Sequence, residues 1–176
     1  MRWNGLRLSI LLAVSLVASA AVAQTAASPM KEFKTPDGRC SVQMPGTPSY
    51  ETQDVPLQGG VKAQMNEWYV ETDSQNISYM LMFNDYPPAY ANGDAASMLI
   101  KFRDGATAGK TLLSDTTITL NGVPGRAFTT KDTDGWLYDV HHFFLNKRLY
   151  QLIVVTAPGR TAPYRDAFMN SFKLNQ

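Results

Sequence analysis

Two neighbouring segments near the C-terminus constrain the fold most, because they are apolar at both odd and even positions. The first covers residues 136–145 and the second covers residues 149–156. A strand with one solvated face alternates apolar and polar residues, whereas a strand that is covered on both faces does not. We therefore expect an α+β fold, with a mostly antiparallel β-sheet covered by helices on both faces (an α/β/α sandwich).

The segments around this pair predict further antiparallel strands. Asn121-Gly122 is the strongest hairpin signal in the chain, because both residues tolerate positive φ and strand-like segments flank them. Residues 111–120 and 125–131 are the arms of that hairpin, and residues 132–135 supply the next turn. Earlier strands are predicted at residues 40–44, 49–55, 61–70 and 77–83.

Two helices complete the predicted fold. Asp94 can accept hydrogen bonds from the backbone N–H groups of a first helical turn, and apolar residues then recur at helical spacing before Gly109. Thr161 is placed to cap a second helix, whose first turn tolerates Pro163. We expect this second helix to close with residues 171–174.

The N-terminal residues have the pattern of an export signal. Two arginines start the chain, residues 8–17 are an apolar run, and the small residues 21–23 supply a cleavage pattern. Cleavage is therefore predicted between Ala23 and Gln24. The apolar run is shorter than the roughly 20 residues of a membrane span. We expect a periplasmic or secreted protein that is not inserted in a membrane after cleavage.

This interpretation divides the chain into a signal peptide (1–23), a flexible leader (24–32) and a single α/β sandwich domain (33–176). Removing the signal would leave 153 residues with 14 basic and 15 acidic side chains, a net charge of −1. The charges are scattered, whereas nucleic-acid binding needs a basic face that displaces counterions. We therefore expect no nucleic-acid partner.

Cys40 and the two histidines are the side chains with the most reactive chemistry. A lone cysteine cannot form an internal disulfide, and Cys40 alternates with Val42 and Met44 as on a strand that faces a core. A reactive or intermolecular thiol is the alternative. His141 and His142 are adjacent, so on a strand they point to opposite faces and cannot chelate one metal. We predict a buried cysteine, structural histidines, no metal and no cofactor.

No motif in the chain predicts catalysis. There is no Gly-x-Ser-x-Gly nucleophile motif. Residues 132–135 lack the later glutamate of a calcium loop, so a hairpin turn is the preferred interpretation. Gly122 and Gly125 belong to a hairpin rather than to a strand–helix junction, so they do not predict a phosphate cradle. We expect a protein that is not an enzyme, although a convergent polar cluster around either histidine would favour one.

Four short motifs together resemble the PsbP-like α/β/α sandwich group of bacterial exported domains. They lie, in this order, at residues 44–48, 121–126, 148–152 and 168–174, and the resemblance covers most of residues 31–176. It implies a sheet flanked by helices, and accessory, binding or assembly roles rather than catalysis. No photosystem-contacting motif of that group can be matched to residues of this chain.

The expected function is a binding or assembly module of the cell envelope, with an envelope protein preferred over a small molecule as the partner. Tyrosine, tryptophan and arginine are enriched at recognition surfaces. The alternative is a periplasmic small-ligand-binding protein with a pocket between sheet and helix, lined by Trp68 and one of the histidines. The candidate recognition residues, chosen as aromatic or basic and near loops, are Tyr86, Tyr90, Arg126, Trp136 and Tyr138.

Overall fold

The computed structural model describes residues 30–57 and 60–175. The predicted signal peptide, its cleavage site and the leader up to residue 29 lie outside the described residues. Residues 31 and 32, predicted as the end of a flexible leader, instead belong to a strand that pairs with the next one. Within the described residues, no helix is long and apolar enough to cross a membrane.

The described part of the chain folds into ten strands and two helices. Seven strands form one antiparallel sheet in the order β3-β4-β5-β9-β8-β7-β6, and three form a small sheet in the order β1-β2-β10. The prediction of a mostly antiparallel sheet with helices is therefore confirmed. In chain order the elements are β1 (Lys31–Lys34), β2 (Cys40–Met44), β3 (Ser49–Pro56), β4 (Lys62–Thr72), β5 (Ile77–Asp85), α1 (Ala95–Thr107), β6 (Thr111–Leu120), β7 (Val123–Lys131), β8 (Leu137–Leu145), β9 (Arg148–Thr156), α2 (Arg165–Asn170) and β10 (Lys173–Leu174).

Local turn and cap chemistry explains the boundaries that the sequence predicts well. β6 coincides with the predicted segment, and the turn after it has φ of 50° at Asn121 and 82° at Gly122. These are the positive values that a tight hairpin turn of this kind requires. Asp94 is the N-cap of α1, and its Oδ1 accepts a hydrogen bond of 2.9 Å from the backbone N–H of Ser97.

The second helix is shorter than predicted. Its N-cap is Tyr164 rather than Thr161, and no side chain caps it. Residues 173 and 174, predicted as the end of this helix, form β10 and pair with Ser41 and Cys40 of β2. Pairing with β2 gives the backbone N–H and C=O groups of this segment their hydrogen-bond partners. The spacing of apolar residues within the segment cannot reveal a partner so distant in sequence.

Two hydrophobic core clusters lie on opposite faces of the large sheet, as the neighbouring residues Phe143 and Phe144 show. Phe143 packs in one cluster with residues of β2 and with Phe168 of α2, whereas Phe144 packs in another cluster with Met98 of α1. Adjacent strand residues point to opposite faces. We call the side of Phe143 the front face and the side of Phe144 the back face. The front layer contains α2, as predicted. It also contains the small sheet, which the sequence did not predict.

Gly125 marks a close approach between two strands in the motif that follows the hairpin turn. A Cβ atom at this position would lie 2.6 Å from the ring of Phe143 and 2.7 Å from the backbone oxygen of His142. Such distances are shorter than van der Waals contact allows. The glycine is therefore explained by packing of β7 on β8.

Candidate functional site

An apolar groove with a volume of about 500 Å³ opens on the front face, at the β3 edge of the large sheet. Strands β3, β4 and β5 form its floor, and the turn after β1 forms its wall. Ligand pockets commonly have volumes of about 300–1,000 Å³. We call this site the aromatic groove. It is lined by Pro36, Asp37, Tyr50, Asn66, Trp68 and Phe83.

The aromatic groove arises from strand alternation and register. Tyr50 is the direct cross-strand partner of Trp68, and Asn66 is the partner of Phe83. Ring centroids lie 5.0 Å apart between Tyr50 and Trp68, and 5.5 Å apart between Trp68 and Phe83. Trp68 and Phe83 are each 6% exposed, whereas Tyr50 is 51% exposed. The floor is therefore held by the core, and the rim is accessible.

The polar groups of the groove hold its rim in place. The Tyr50 hydroxyl donates a hydrogen bond of 2.8 Å to Oδ1 of Asn66. Thr35 donates through its hydroxyl to Oδ1 of Asp37 at 2.8 Å, and the backbone N–H of Arg39 donates to the same oxygen at 3.1 Å. These bonds orient the turn that forms the groove wall.

Arg148 contacts residues of the groove through an arginine-centred network, which we define as Arg148, Asp37 and Asp85. Nε and Nη2 of Arg148 donate to the two oxygens of Asp85, each at 2.6 Å, and Nη1 donates to Asp37. The guanidinium lies 3.8 Å from the centroid of the Phe83 ring. The network fixes both a wall residue and a floor residue of the groove.

The charges of this network stabilise one another. Burial opposes ionisation of Arg148, but the hydrogen bonds from its guanidinium to Asp85 and Asp37 outweigh burial and raise its pKa. Burial alone would raise the pKa of Asp37, yet the hydrogen bonds from Arg148, Thr35 and the Arg39 backbone hold it below its usual range. Arg148 and Asp37 are therefore ionised at neutral pH, and each already has a charged protein partner.

A second depression, of about 650 Å³, is lined by Arg148 together with Arg39, Asn146 and Tyr150 among others. Its cationic groups are Arg39 and Arg148. Arg148 is already neutralised by two carboxylates, and the side chain of Arg39 is 60% exposed beside Asp37. A surface charge of this kind contributes little to binding. The depression therefore has weaker features of a binding site than the aromatic groove.

Cys40 is a buried core residue, as the sequence predicts. It is 0% exposed and lies in the front core cluster. Burial raises the pKa of its thiol to about 11, in spite of the Thr35 hydroxyl beside it. The reactive form of a cysteine is the thiolate. Cys40 is consequently a thiol at neutral pH, and it does not supply a nucleophile.

The two histidines point to opposite faces, as predicted. His142 is 1% exposed, and its ring meets the ring of Phe128 edge-on at 5.0 Å. Burial lowers its pKa to about 3. His141 lines a separate front-face cavity of about 250 Å³, and burial and the charge of Arg165 lower its pKa. In the described ranges, no group of three or more histidine, cysteine or acidic residues could hold a metal ion.

A second charged network lies on the back face, next to α1. We define the aspartate-centred network as Asp115, Arg103 and Arg126: both arginines donate to the same oxygen, Oδ2 of Asp115. Arg126 is also the cross-strand partner of His142. Within residues 30–57 and 60–175, four buried side-chain nitrogen or oxygen atoms have no hydrogen-bond partner, and all belong to this region: Oδ1 of Asp115, Nε of Arg126, and Nδ1 and Nε2 of His142.

The structure separates the five candidate recognition residues. Tyr86 packs on Phe102 of α1 with ring centroids 5.0 Å apart, and the Tyr86 backbone N–H donates to Lys147. Tyr90 follows in the same loop.

Trp136 and Tyr138 lie around the start of β8, whereas Tyr86 contacts Lys147, which follows the end of that strand. The Trp136 backbone N–H and the Tyr138 hydroxyl donate to the two oxygens of Asp132, at 2.9 and 3.0 Å. Arg126 belongs to the aspartate-centred network. The five residues therefore do not form one continuous patch, and residues 132–135 form the predicted hairpin turn.

Most of the aromatic groove was missed by sequence reasoning, although Trp68 was proposed for a pocket. Tyr50, Asn66 and Phe83 come from three strands, and their convergence depends on register. The available signal was the period of two that places Asn66 and Trp68 on one face. The cavity that Trp68 lines includes neither histidine.

Comparison with known proteins shows the fold alone. No family model matches the chain, and no curated protein matches it. The solution structure of cyanobacterial PsbP (CyanoP) from Synechocystis sp. PCC 6803 is similar with a TM-score of 0.55 and 11% identity, over 89% of this chain and 99% of that one. The chain therefore has a PsbP-like fold.

Two further solved structures are less similar. A crystal structure from Bacteroides thetaiotaomicron has a TM-score of 0.42 and 12% identity, over 84% of this chain and 49% of that one. The protein of unknown function PA94 from Pseudomonas aeruginosa has a TM-score of 0.33 and 11% identity, over 73% of this chain and 83% of that one. Neither likeness is close enough to support a conclusion.

Proposed function

We propose that this chain is an exported, non-catalytic binding module of the cell envelope, built as a PsbP-like α/β/α sandwich, with the aromatic groove as its recognition site. The groove carries the proposal, because two buried rings and one exposed tyrosine meet there at an accessible sheet edge. Large aromatic side chains in partly desolvated pockets supply most of the binding energy of recognition surfaces. An envelope protein is the preferred partner, since the groove continues into the exposed strand β3.

The chemistry beside the groove supports binding rather than catalysis. General acid–base work needs a group that changes protonation near the operating pH, and nucleophilic work needs an activated nucleophile. Arg148 and Asp37 are held in their charged forms by each other, and Cys40 is held as a thiol. The role of Arg148 and Asp37 is to position the groove wall.

Export is proposed from the N-terminal pattern of residues 1–23. The test is to produce the full chain in a Gram-negative bacterium, separate the periplasm from the cytosol and measure the intact mass. We expect a periplasmic protein with the mass of residues 24–176. A full-length mass in the cytosol would contradict export.

The recognition site is tested by photo-cross-linking in the cells that produce the chain. The full chain carries benzoylphenylalanine in place of Tyr50 or, as a matched control, in place of Leu113. Both side chains are exposed, at 51% and 53%, but Leu113 lies on the opposite sheet edge. We expect one protein adduct from position 50 and none from position 113. An adduct from position 113 alone would contradict the groove as the site.

A small-ligand-binding protein is the second candidate, favoured by the volume of about 500 Å³ of the groove. This volume lies in the range of small-molecule pockets. In the same experiment it predicts that position 50 gives an adduct of a few hundred daltons in place of a protein adduct, as seen by intact-mass measurement. A protein adduct of defined mass would contradict this candidate.

A further inference from the structure

Strand β3 is an edge of the large sheet and is accessible along its length. All of its eight residues except Val55 are exposed. Within the described residues it pairs only with β4. The outward backbone N–H and C=O groups of an edge strand form a template for another strand. Adding an extended partner segment to such an edge is a recurrent mode of peptide recognition.

The charge of this edge selects a basic partner. β3 and β4 together carry four carboxylates and one lysine, a net charge of −3. The opposite edge, β6 with β7, carries two basic residues and one acidic residue, a net charge of +1. Two copies of the chain that paired through β3 would bring Glu51 and Asp54 of both copies together, and like charges oppose such pairing. A second copy paired through β3 is therefore disfavoured.

The strongest unbalanced charge on this edge is a pair of glutamates on the back face. Glu51 and Glu67 are direct cross-strand partners. Like charges in this position destabilise a sheet. Burial and the charge of Glu51 raise the pKa of Glu67. Asp54, by contrast, is already paired with Lys62 at 3.0 Å. A cation next to Glu51 would relieve the repulsion.

Thr52, the residue after Glu51 on β3, lies on the face of the sheet that carries the aromatic groove. Thr52 follows Glu51 and therefore points to the front face, as its cross-strand partner Asn66 does. Adjacent strands lie about 4.8 Å apart. A partner residue opposite Thr52 is consequently two strand spacings from Asn66. A large aromatic side chain can cross the short threonine and reach the groove.

We propose that β3 binds an extended segment of a partner protein by antiparallel β-augmentation, with a lysine or arginine opposite Glu51 and an aromatic residue next to it, opposite Thr52. The basic side chain lies on the back face beside the two glutamates. The aromatic side chain lies on the front face and enters the aromatic groove. This inference rests on the proposed function, and it names the chemical class of the partner.

Four synthetic peptides and the full chain test the proposal by fluorescence anisotropy. The reference peptide contains nine residues, all threonine except a central tryptophan–lysine pair in that order from the N-terminus, with a dye on its N-terminus. In an antiparallel pairing this order places lysine opposite Glu51 and tryptophan opposite Thr52. One twin replaces lysine by glutamate, one replaces tryptophan by alanine, and one carries N-methyl groups on alternate backbone nitrogens. We expect each twin to bind at least about tenfold more weakly than the reference, because each lacks one of the three contacts.

Variants of the chain assign each contact to a residue. Glu51→Gln should reduce the difference between the lysine and glutamate peptides, and Tyr50→Ala should reduce the difference between the tryptophan and alanine peptides. Glu71→Gln is the matched control, because Glu71 lies on β4 beyond the last residue that pairs with β3. It removes the same charge from the neighbouring strand and should leave both differences unchanged.

The outcomes separate the two proposals. N-acetyltryptophanamide is a probe of the groove alone, followed by the side-chain amide NMR signal of Asn66. If this probe shifts the signal while the lysine and backbone changes have no effect on peptide binding, the β-augmentation proposal is wrong and the groove remains a binding site. If neither the probe nor any peptide binds in a Tyr50-dependent way, the proposed function fails as well.

Discussion

The two charged networks of this protein have opposite compositions. On one side Arg148 lies between two aspartates, and on the back face Asp115 lies between two arginines. The first network has a net charge of −1 and supports the aromatic groove. The second has a net charge of +1 and lies under α1.

The difference lies in how well each network satisfies its buried atoms. Arg148 is 7% exposed and has charge-assisted bonds from three of its nitrogens, while its two aspartates are 31% and 54% exposed and can also reach water. Asp115 and Arg126 are 14% and 17% exposed, and each keeps one buried atom that has no partner in the described part of the chain. An unpaired buried polar atom costs about 1–3 kcal/mol. The groove wall is therefore the better fixed of the two regions.

Acidification should have the largest effect on stability, and it should destabilise the back-face region around His142 at a higher pH than the arginine-centred network. The folded pKa of His142 is about 3, below the ordinary value of 6.5. Its stabilising contribution is therefore complete above pH 6.5 and is lost as the pH falls towards 3, by about 3–5 kcal/mol. The pKa of Asp37 is lowered from 3.8, so the arginine-centred network loses stability only below about pH 4. Urea unfolding between pH 7 and pH 4 measures the difference.

The variant His142→Phe should flatten this pH profile whatever its constant effect on packing. His141→Gln is the matched control, because His141 is the adjacent and less buried histidine. Its pKa is lowered too, so this variant should remove a smaller part of the slope. An equal slope in wild type and His142→Phe would show that His142 is not the titrating group.

Removing the central arginine should have the next largest effect. Arg148→Met leaves two carboxylates without their partner. Loss of one member of a fully buried ion pair costs about 3–5 kcal/mol, and because the two aspartates are 31% and 54% exposed, we expect the lower limit of about 3 kcal/mol. Arg148→Lys retains the charge but loses the two-pronged bond to Asp85, so we expect about half of that loss. Urea unfolding at pH 7 gives both values. A loss below about 1 kcal/mol in Arg148→Met would mean that the aspartates are fully solvated.

The central aspartate should contribute less than the central arginine. Asp115→Asn leaves Arg103 and Arg126 facing each other, but one oxygen of Asp115 already lacks a partner, so we expect a loss of about 2 kcal/mol in urea unfolding. Asp104→Asn is the matched control. Asp104 also pairs with Arg103 but is 61% exposed, and its removal should change stability by less than about 0.5 kcal/mol. An equal loss in the free energy of unfolding for Asp115→Asn and Arg148→Met would contradict the expectation that the arginine-centred network stabilises the fold more than the aspartate-centred network.

The smallest expected effect is local to α1. Asp94→Ala removes the side-chain acceptor that caps the first turn of this helix, while Asp94→Ser retains one. Hydrogen exchange should become faster in residues 95–98 of the alanine variant and stay unchanged in β2. Exchange that accelerates equally in both places would mean that α1 does not open independently of the front core.

Several elements could be predicted because their signals are local. The turn at Asn121-Gly122 depends on two residues that tolerate positive φ, and the start of α1 depends on Asp94. The end of the chain could not be predicted, because residues 173 and 174 pair with β2, more than 120 residues earlier. Helical spacing at residues 171–174 was outweighed by strand pairing.

The candidate site was less predictable than the fold. Aromatic and basic residues near loops indicated Tyr86, Tyr90, Arg126, Trp136 and Tyr138, but these lie in different parts of the molecule. Residue type and loop position are properties of single positions. A groove depends on which strands are neighbours and in what register, and Tyr50 meets Trp68 only because β3 and β4 pair as they do.

Local sequence patterns are sufficient to predict several features: the antiparallel strands, the hairpin turns, the start of α1, the burial of Cys40 and the opposite directions of the two histidines. Each follows from alternation or from the conformational preference of one or two residues. Two further features depend on long-range packing: Asp37, Asp85 and Arg148 form one network, and three strands and a turn enclose the aromatic groove. The partners of Arg148 lie 63 and 111 residues away along the chain, so their contact is a result of sheet order and packing.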